Sequence, residues 1–351
     1  WTIGKKLIVS FLRVAAITAL LGVVGYYGVS QGAKAINEIG GVRLPSIDAL
    51  LSMSVAQSAI DGAENALLCR ALDVKGREEK EAAIAMTIEP AIIPEHAMSD
   101  YQAFAGYLSG RLGQGVHIVQ RKTYYEVNEL MRIGKVNLAI LCTGAYMYAR
   151  TNKVPVEVVA VPVYKGNMYY HSFLLVRADS PYRTLLDLKN RSFAFSDPLS
   201  LGVYLYPFYT LLEQGLAPGT FFSDAMFTYS HNGCIDMLLD RTADAAVVNN
   251  LIYDYEMERN PQIRGEIRII NRSMPLGITP VVLSEAADSA LREKIKTVFL
   301  DMHLDPQGRQ VLKIFRMDKF VSPPPTLYDS SFFMYNKIRN YLERRCKKSG
   351  S

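Results

Sequence analysis

Ser192-Phe193-Ala194-Phe195-Ser196-Asp197-Pro198-Leu199-Ser200-Leu201-Gly202-Val203-Tyr204 is the stretch on which the fold turns. It reads as a short buried strand, a tight turn and the start of a helix that runs to about Gln214. Asp197-Pro198 is turn chemistry, Ser200 stands where a helix N-cap belongs, and Gly215 supplies the C-cap. A strand feeding a helix through a short polar loop presents free backbone N–H groups and the positive end of the helix dipole. That is a ready-made anion site. Most such turns bind nothing, so the weight falls on whether the rest of the chain converges on this one.

Outward from this stretch the same texture repeats from Ile84 onward. Apolar strands are expected at 84–88, 116–120, 136–141, 156–164, 169–176, 227–229, 243–248, 267–270 and 278–283. Helices are expected at 98–112, 124–133, 143–150, 231–239, 287–303, 306–315 and 332–345. Strand–helix alternation of this kind predicts an open, mostly parallel α/β sheet. Ligands of such sheets bind beyond the carboxyl ends of the strands, where helices begin. Three such points are visible, at Thr143, Ser200 and Ser230-His231.

Bulk properties narrow the function. The 351 residues leave room for two domains, and the net charge of +5 is scattered rather than striped. No basic run interleaves with aromatics, so a nucleic-acid partner is not expected. Cys69, Cys142, Cys234 and Cys346 show neither a C-x-x-C nor a metal spacing, and read as lone thiols. His96, His117, His171 and His303 share no ligand spacing. Asp187, Asp197 and Asp244 read as turn and helix-start residues. No nucleophile–base pair, metal cluster or P-loop is legible, so no enzyme, metal or cofactor is expected.

The N-terminal part has a different character. Leu7 to Val29 is nearly all apolar, with Arg13 its one charge, and is long enough to span a bilayer. Lys5-Lys6 before it predict a cytoplasmic N-terminus and an exported remainder. The alternative is a cleaved signal peptide, but Tyr26-Tyr27 reads as an interfacial belt and no clean small-x-small cleavage site follows. Residues 1–31 are therefore expected to form a stub and single-pass inner-membrane anchor. Residues 32–82 are expected to form a long helical stalk with one apolar stripe and a charged end, and 32–70 could self-associate.

Two resemblances follow from particular residues. Trp1-Thr2-Ile3-Gly4-Lys5-Lys6-Leu7, Gly25-Tyr26-Tyr27-Gly28-Val29, Val42-Arg43-Leu44-Pro45-Ser46-Ile47 and Ala63-Glu64-Asn65-Ala66-Leu67-Leu68 resemble the start of a methyl-accepting chemotaxis receptor. The likeness covers its membrane helix and the first helix of its four-helix sensor. The second resemblance rests on Tyr124 ten residues before Gly134, Thr143-Gly144-Ala145-Tyr146, Leu174 to Ser180 with Leu185-Leu186-Asp187-Leu188, and Phe195-Ser196-Asp197-Pro198-x-Ser200. Tyr229-Ser230-His231, Asp244 to Val248, Pro275-Leu276-Gly277-Ile278 and His303-Leu304-Asp305-Pro306-x-Gly308 continue it. In that order these landmarks resemble the periplasmic phosphate/phosphonate-binding proteins of ABC importers.

The second resemblance implies a hinged, two-lobed, type II-like α/β fold that closes on its ligand. Lobe 1 would comprise 83–165 and 275–345, and lobe 2 166–274, with crossovers near Tyr164–Tyr170 and Arg272–Thr279. It implies an oxyanion grip by Tyr124, Thr143, Ser200 and His231, with Tyr146, Asn249 and Tyr253 lining the rest of the cleft. Each has an ordinary alternative: Ser200 and Thr143 as caps, His231 as a structural helix-start residue, Tyr125 in place of Tyr124. The turn also departs from the family pattern D-P-x-S-T-S-G, because Leu201 and Gly202 replace two hydroxyls. The implied function is a membrane-tethered periplasmic receptor of a small phosphorus oxyanion that feeds an ABC permease. The alternative is the sensing module of a chemotaxis or signalling receptor.

The anchor reading has a direct test. Protein recovered from fractionated cells should sediment with inner membrane and retain residues 1–30 by intact-mass measurement; a mature chain lacking them would show a cleaved signal instead.

Overall fold

The computed structural model describes residues 84–89 and 94–349. The expected anchor at 1–31 and stalk at 32–82 lie outside the described residues, and with them the self-association helix. Among the described residues no helix is long and apolar enough to cross a membrane.

The chain opens with β1 (Ile84–Ile88), buried along its whole length, followed by α1 (Pro94–Leu112) and β2 (Val116–Ile118). α2 (Tyr124–Arg132) is nucleated by a capping box: Thr123 Oγ1 accepts the Glu126 N–H at 3.2 Å and Glu126 accepts the Thr123 N–H at 2.8 Å. Then come β3 (Leu138–Ile140), α3 (Thr143–Thr151) and β4 (Val156–Val163). A short strand β5 (Tyr169–Tyr170) leads into β6 (Ser172–Arg177). The opening stretch forms β7 (Ser192–Phe195), a π-helical turn over Leu201–Leu205, and α4 (Tyr206–Glu213). β8 (Asp224–Phe227), α5 (His231–Leu239), β9 (Ala245–Asn249), α6 (Asn250–Arg259) and β10 (Ile267–Arg272) follow. The chain returns through β11 (Leu276–Gly277) to β12 (Val281–Ser284), α7 (Ser289–Asp301), α8 (Pro306–Ile314), β13 (Lys319–Val321) and α9 (Asp329–Ser349).

Two sheets organise these elements. One has the order β13-β4-β12-β3-β1-β2 and the other β10-β6-β9-β7-β8, with β5 and β11 pairing apart from both. The sheets are mixed, not mostly parallel as the alternation implied. β12 runs antiparallel to β3 and β4, and β6 antiparallel to β9 and β10. The reason is topological. β1 and β3 run parallel, and β7 and β9 run parallel. The strand that arrives from the other half enters its sheet from the connecting end and so runs the opposite way. Each half therefore holds one inserted strand between its third and fourth.

Local departures have local causes. The helix expected from Ser200 starts as a π turn, with the Leu205 N–H reaching Ser200 O at 3.0 Å. Pro207 lacks an N–H, so an α-helical ladder through this turn would be broken there in any case. β8 ends at Phe227 instead of starting there, because Tyr229 takes a left-handed conformation with φ 55°. α6 was not legible as a helix, although Asn249 caps it by accepting the Ile252 N–H at 2.8 Å.

Each sheet carries its own core. In the first, Ile84, Met86, Leu138 and Leu283 pack against Phe104 and Phe299, whose rings meet edge-to-face at 5.8 Å. In the second, Phe173, Leu175, Ala246 and Val248 pack against Ile235 and Leu238 of α5. The other face of β7 is aromatic. Phe193 and Phe195 stack at 4.5 Å, and Phe195 meets Tyr204 at 5.1 Å, so Tyr204 packs its helix rather than entering a cleft.

The two halves are closed on each other. Asp197, in the β7 turn, accepts the Tyr124 N–H at 3.0 Å across the cleft. Gly144 in the first turn of α3 abuts the backbone of the β7 turn so closely that an added Cβ would stand 1.9 Å from Leu199 O and 2.6 Å from Leu201 N. Neither backbone atom can rotate away. Gly144→Ala should therefore prop the halves apart. Small-angle scattering should show a larger radius of gyration than the parent chain; superimposable curves would mean this contact does not set closure.

Candidate functional site

A cavity of about 90 Å³ lies between the two sheets, at the carboxyl ends of β1, β3 and β9 and beside the turn after β7. Tyr124, Ser200, His231 and Asn249 all line it, so four of the seven residues singled out from the sequence come together. The other three sit elsewhere. Thr143 is fully buried and its hydroxyl donates to Gly277 O at 2.7 Å, which ties α3 to β11. Tyr146 packs between Tyr328 and Phe332, at ring distances of 5.1 and 6.2 Å. Tyr253 stands edge-on to Phe173 at 5.3 Å on the second core.

Ser200 is both cap and cavity wall. Its hydroxyl accepts the Val203 N–H at 3.4 Å and lies 3.9 Å from Cys142 Sγ. Ser230 caps α5 in the same way, accepting the Gly233 N–H at 3.3 Å, and so fixes where His231 begins. His231 is 2% exposed. Burial pushes its pKa down to about 4, so the ring is neutral at pH 7. Asn249 Oδ1 is committed to its cap, which turns its amide NH₂ toward His231 Nε2 at 3.5 Å. Nε2 then accepts, and the proton belongs on Nδ1, which has no protein partner. His231 thus offers an unused neutral donor.

Glu89 is 4% exposed, and its Oε2 accepts the Cys142 N–H at 2.5 Å. Burial drives its pKa well above the ordinary carboxylate range, opposed by the Cys142 bond and reinforced by Asp197. Its other oxygen, Oε1, is buried and unpartnered. Asp197 is also buried, and burial raises it to about 6 against the bonds from Leu199 and Tyr124.

Cys142 lies where two helix starts converge. Burial and Glu89 raise its thiol to about 12, opposed by the N–H groups of Gly144 and Leu201, which point at the sulfur, and by the Ser200 hydroxyl, to which the thiol donates. The Tyr170 hydroxyl similarly receives the Gly202 N–H, and a Cβ on Gly202 would come within 3.0 Å of it. Cys142 and Tyr170 thus take up backbone N–H groups of Leu201 and Gly202, the two positions where the turn lacks hydroxyls. Among the described residues no Lys or Arg lines the cavity. Among the described residues no three His, Cys, Asp or Glu side chains stand close enough to hold a metal ion. Neutral donors and two helix N-termini suit the acceptor oxygens of a small ligand.

Sequence reading missed Glu89, Cys142 and Tyr170. Glu89 had a signal, since it is the residue that follows a buried strand at its carboxyl end. The other two had none, because their roles come from backbone groups 59 and 32 positions away.

Residues 86–328 match the family model described as ABC transporter, phosphonate, periplasmic substrate-binding protein. Residues 1–69 match that of a four helix bundle sensory module for signal transduction. The chain is 26% identical over 227 residues to the phosphate-import protein PhnD of Mycolicibacterium smegmatis, covering 61% of this chain and 71% of that protein. It is 24% identical over 244 residues to the phosphonates-binding periplasmic protein of Escherichia coli, covering 67% and 71%. The binding component of an ABC phosphonate transporter from Pseudomonas aeruginosa superposes with TM-score 0.66 at 19% identity, over 77% of this chain and 99% of that one. PhnD1 of Prochlorococcus marinus, in complex with methylphosphonate, gives 0.65 at 18% identity, over 76% and 99%. These structures establish the two-lobed periplasmic binding-protein fold.

The His231 environment fixes a pH response. Between about pH 6.5 and 4 the unfolded chain takes up a proton that the buried ring does not, so stability falls as pH falls through this window. The shift corresponds to about 3 kcal/mol in all. His231→Gln should flatten the denaturation midpoint between pH 7 and 4 relative to the parent chain. A parallel pH dependence in both would refute the buried neutral ring.

Proposed function

Because the chain belongs to the periplasmic substrate-binding proteins of phosphonate ABC transporters, we propose that it captures a small oxyanion ligand of the phosphate, phosphite or phosphonate class and delivers it to an ABC permease. The observation that carries this reading is the small cavity itself, whose wall brings Glu89, Tyr124 and Cys142 of one lobe against Ser200, His231 and Asn249 of the other, beside two helix starts. Ligand oxygens would meet polar groups of both lobes at once, and only in the closed form. The absence of a basic side chain among the described residues of the lining favours an oxyanion held by hydrogen bonds and helix dipoles over one held by an ion pair.

The lobes are proposed as 83–165 with 275–345, and 166–274, with β5 and β11 as the hinge. Residues 1–31 are proposed as an inner-membrane anchor and 32–82 as a stalk that holds the binding lobes in the periplasm. A second reading, a ligand-sensing module of a signalling receptor, draws support from the match of residues 1–69 to a sensory bundle. The same cleft would serve either role.

Titration calorimetry of the full chain in detergent against phosphate, phosphite and methylphosphonate tests the ligand class. Ser200→Ala and His231→Ala should each weaken binding about tenfold, the usual worth of one hydrogen bond to a charged group. Glu89→Gln keeps a polar group of the same size and should cost far less than Glu89→Ala. No heat with any phosphorus oxyanion would eliminate this class while leaving the binding fold intact.

A further inference from the structure

The polar cavity does not end at Asn249. A second cavity of about 150 Å³ adjoins it, and Ile88, Ile140, Asn249, Leu251 and Thr279 line both. Beyond this shared wall the lining turns mainly apolar, with Phe104, Met302, Leu312, Phe315, Met317 and Phe320 from the first lobe, while Asp100, Arg316, Tyr101, Tyr164 and Tyr255 also line it. Leu251 and Ile252 close it from the second. Protein interiors are close-packed, and a void of this size beside a ligand site is not a packing remainder. Apolar cavities of about this volume stay dry and take up a benzene-sized guest.

We infer that the ligand is amphipathic, with its oxyanion head in the Glu89–His231 cavity and an apolar tail of about four to six carbons, or one aryl ring, in the adjoining one. The inference rests on the head-group reading above for its polar end only. The geometry is consistent with the closure described earlier. The tail compartment takes walls from both lobes, so it is complete only when they close. Its rim is drawn together by two cross-cleft contacts: the Tyr164 hydroxyl donates to Asp254 at 2.6 Å, and Arg316 pairs with Glu258 at 2.9 Å. Asn249 stands at the junction with its Oδ1 and NH₂ both engaged, so the passage presents no unsatisfied amide to a methylene chain. Each methylene taken out of water should raise affinity roughly threefold to fourfold.

The test is calorimetry of the full chain with methyl-, butyl-, hexyl-, phenyl- and decylphosphonate, and with hexanol and benzene as head-free probes. Affinity should climb roughly threefold per methylene to about six carbons and fall for decyl. Met317→Trp and Leu312→Phe each fill the second compartment and should erase the advantage of hexyl over methyl; circular dichroism confirms that each variant is folded. Equal affinity for methyl- and hexylphosphonate overturns the tail compartment and leaves the head-group reading standing. Heat from hexanol or benzene, lost in Met317→Trp, with none from any phosphonate, upholds the compartment and overturns the head-group reading. Silence from every probe overturns both.

Discussion

Two helix N-termini meet head-on across the cleft, and the rest of the site follows from how that meeting is made tolerable. α3 starts at Thr143 in one lobe and the π turn that leads α4 starts at Leu201 in the other. Each brings roughly half a positive charge and several N–H groups without intrahelical partners. Gly144 lets the two backbones touch where any side chain would collide. The facing dipoles repel unless acceptors stand between them. The protein supplies three: Cys142 Sγ, the Tyr170 hydroxyl and the Ser200 hydroxyl. A thiol and two hydroxyls are neutral acceptors, and sulfur is a weak one. The arrangement therefore retains a demand for negative charge that a ligand oxyanion can meet.

The β5–β11 pair is tied to both of these termini. β5 and β11 pair antiparallel, Tyr170 with Leu276 and Tyr169 with Gly277. Thr143 bonds to Gly277 O, and the Tyr328 hydroxyl donates to Ile278 O at 2.7 Å, so α3, this pair and the segment before α9 form one buried network. Tyr170 belongs to β5 and touches the π turn at Gly202. The β5–β11 pair thus reaches the site through the same tyrosine that occupies part of it. The inserted antiparallel strands β6 and β12 serve the same end, since each leaves the pair and is immediately anchored in a sheet core.

What was legible in the sequence is what depends on near neighbours. Asp197 bonding the Leu199 N–H at 2.7 Å, the Ser200 and Ser230 caps and the left-handed Gly215 are all settled within a few residues, and the turns stand where the chain chemistry put them. The landmarks of the family resemblance are of this kind as well. Thr143 was read as a cap or a ligand because its neighbours permit either; its hydroxyl instead serves a carbonyl 134 positions away. Tyr146 and Tyr253 were placed in the cleft by analogy of position, and packing directs both to aromatic partners. Glu89 gave no local sign of a raised pKa, because its state depends on burial between lobes. The mixed sheets were hidden for a related reason: strand direction depends on which end of a sheet the chain enters.

The division of the cleft into a polar and an apolar compartment also separates two physical tasks. Glu89 and His231 are both buried in the polar compartment, and burial pushes the Glu89 carboxyl up and the His231 ring down in pKa, each toward its uncharged form. Asp197 is the exception: raised by burial only to about 6, it keeps its charge near neutral pH, and its bond from the Tyr124 N–H spans the lobes. The second task is non-directional affinity. The apolar walls of Phe104, Met317 and Leu251 supply it in proportion to the area covered, and only when both lobes are in place. An amphipathic ligand of the kind proposed would lose its apolar contribution as the lobes separate, because the two walls that made the compartment move apart.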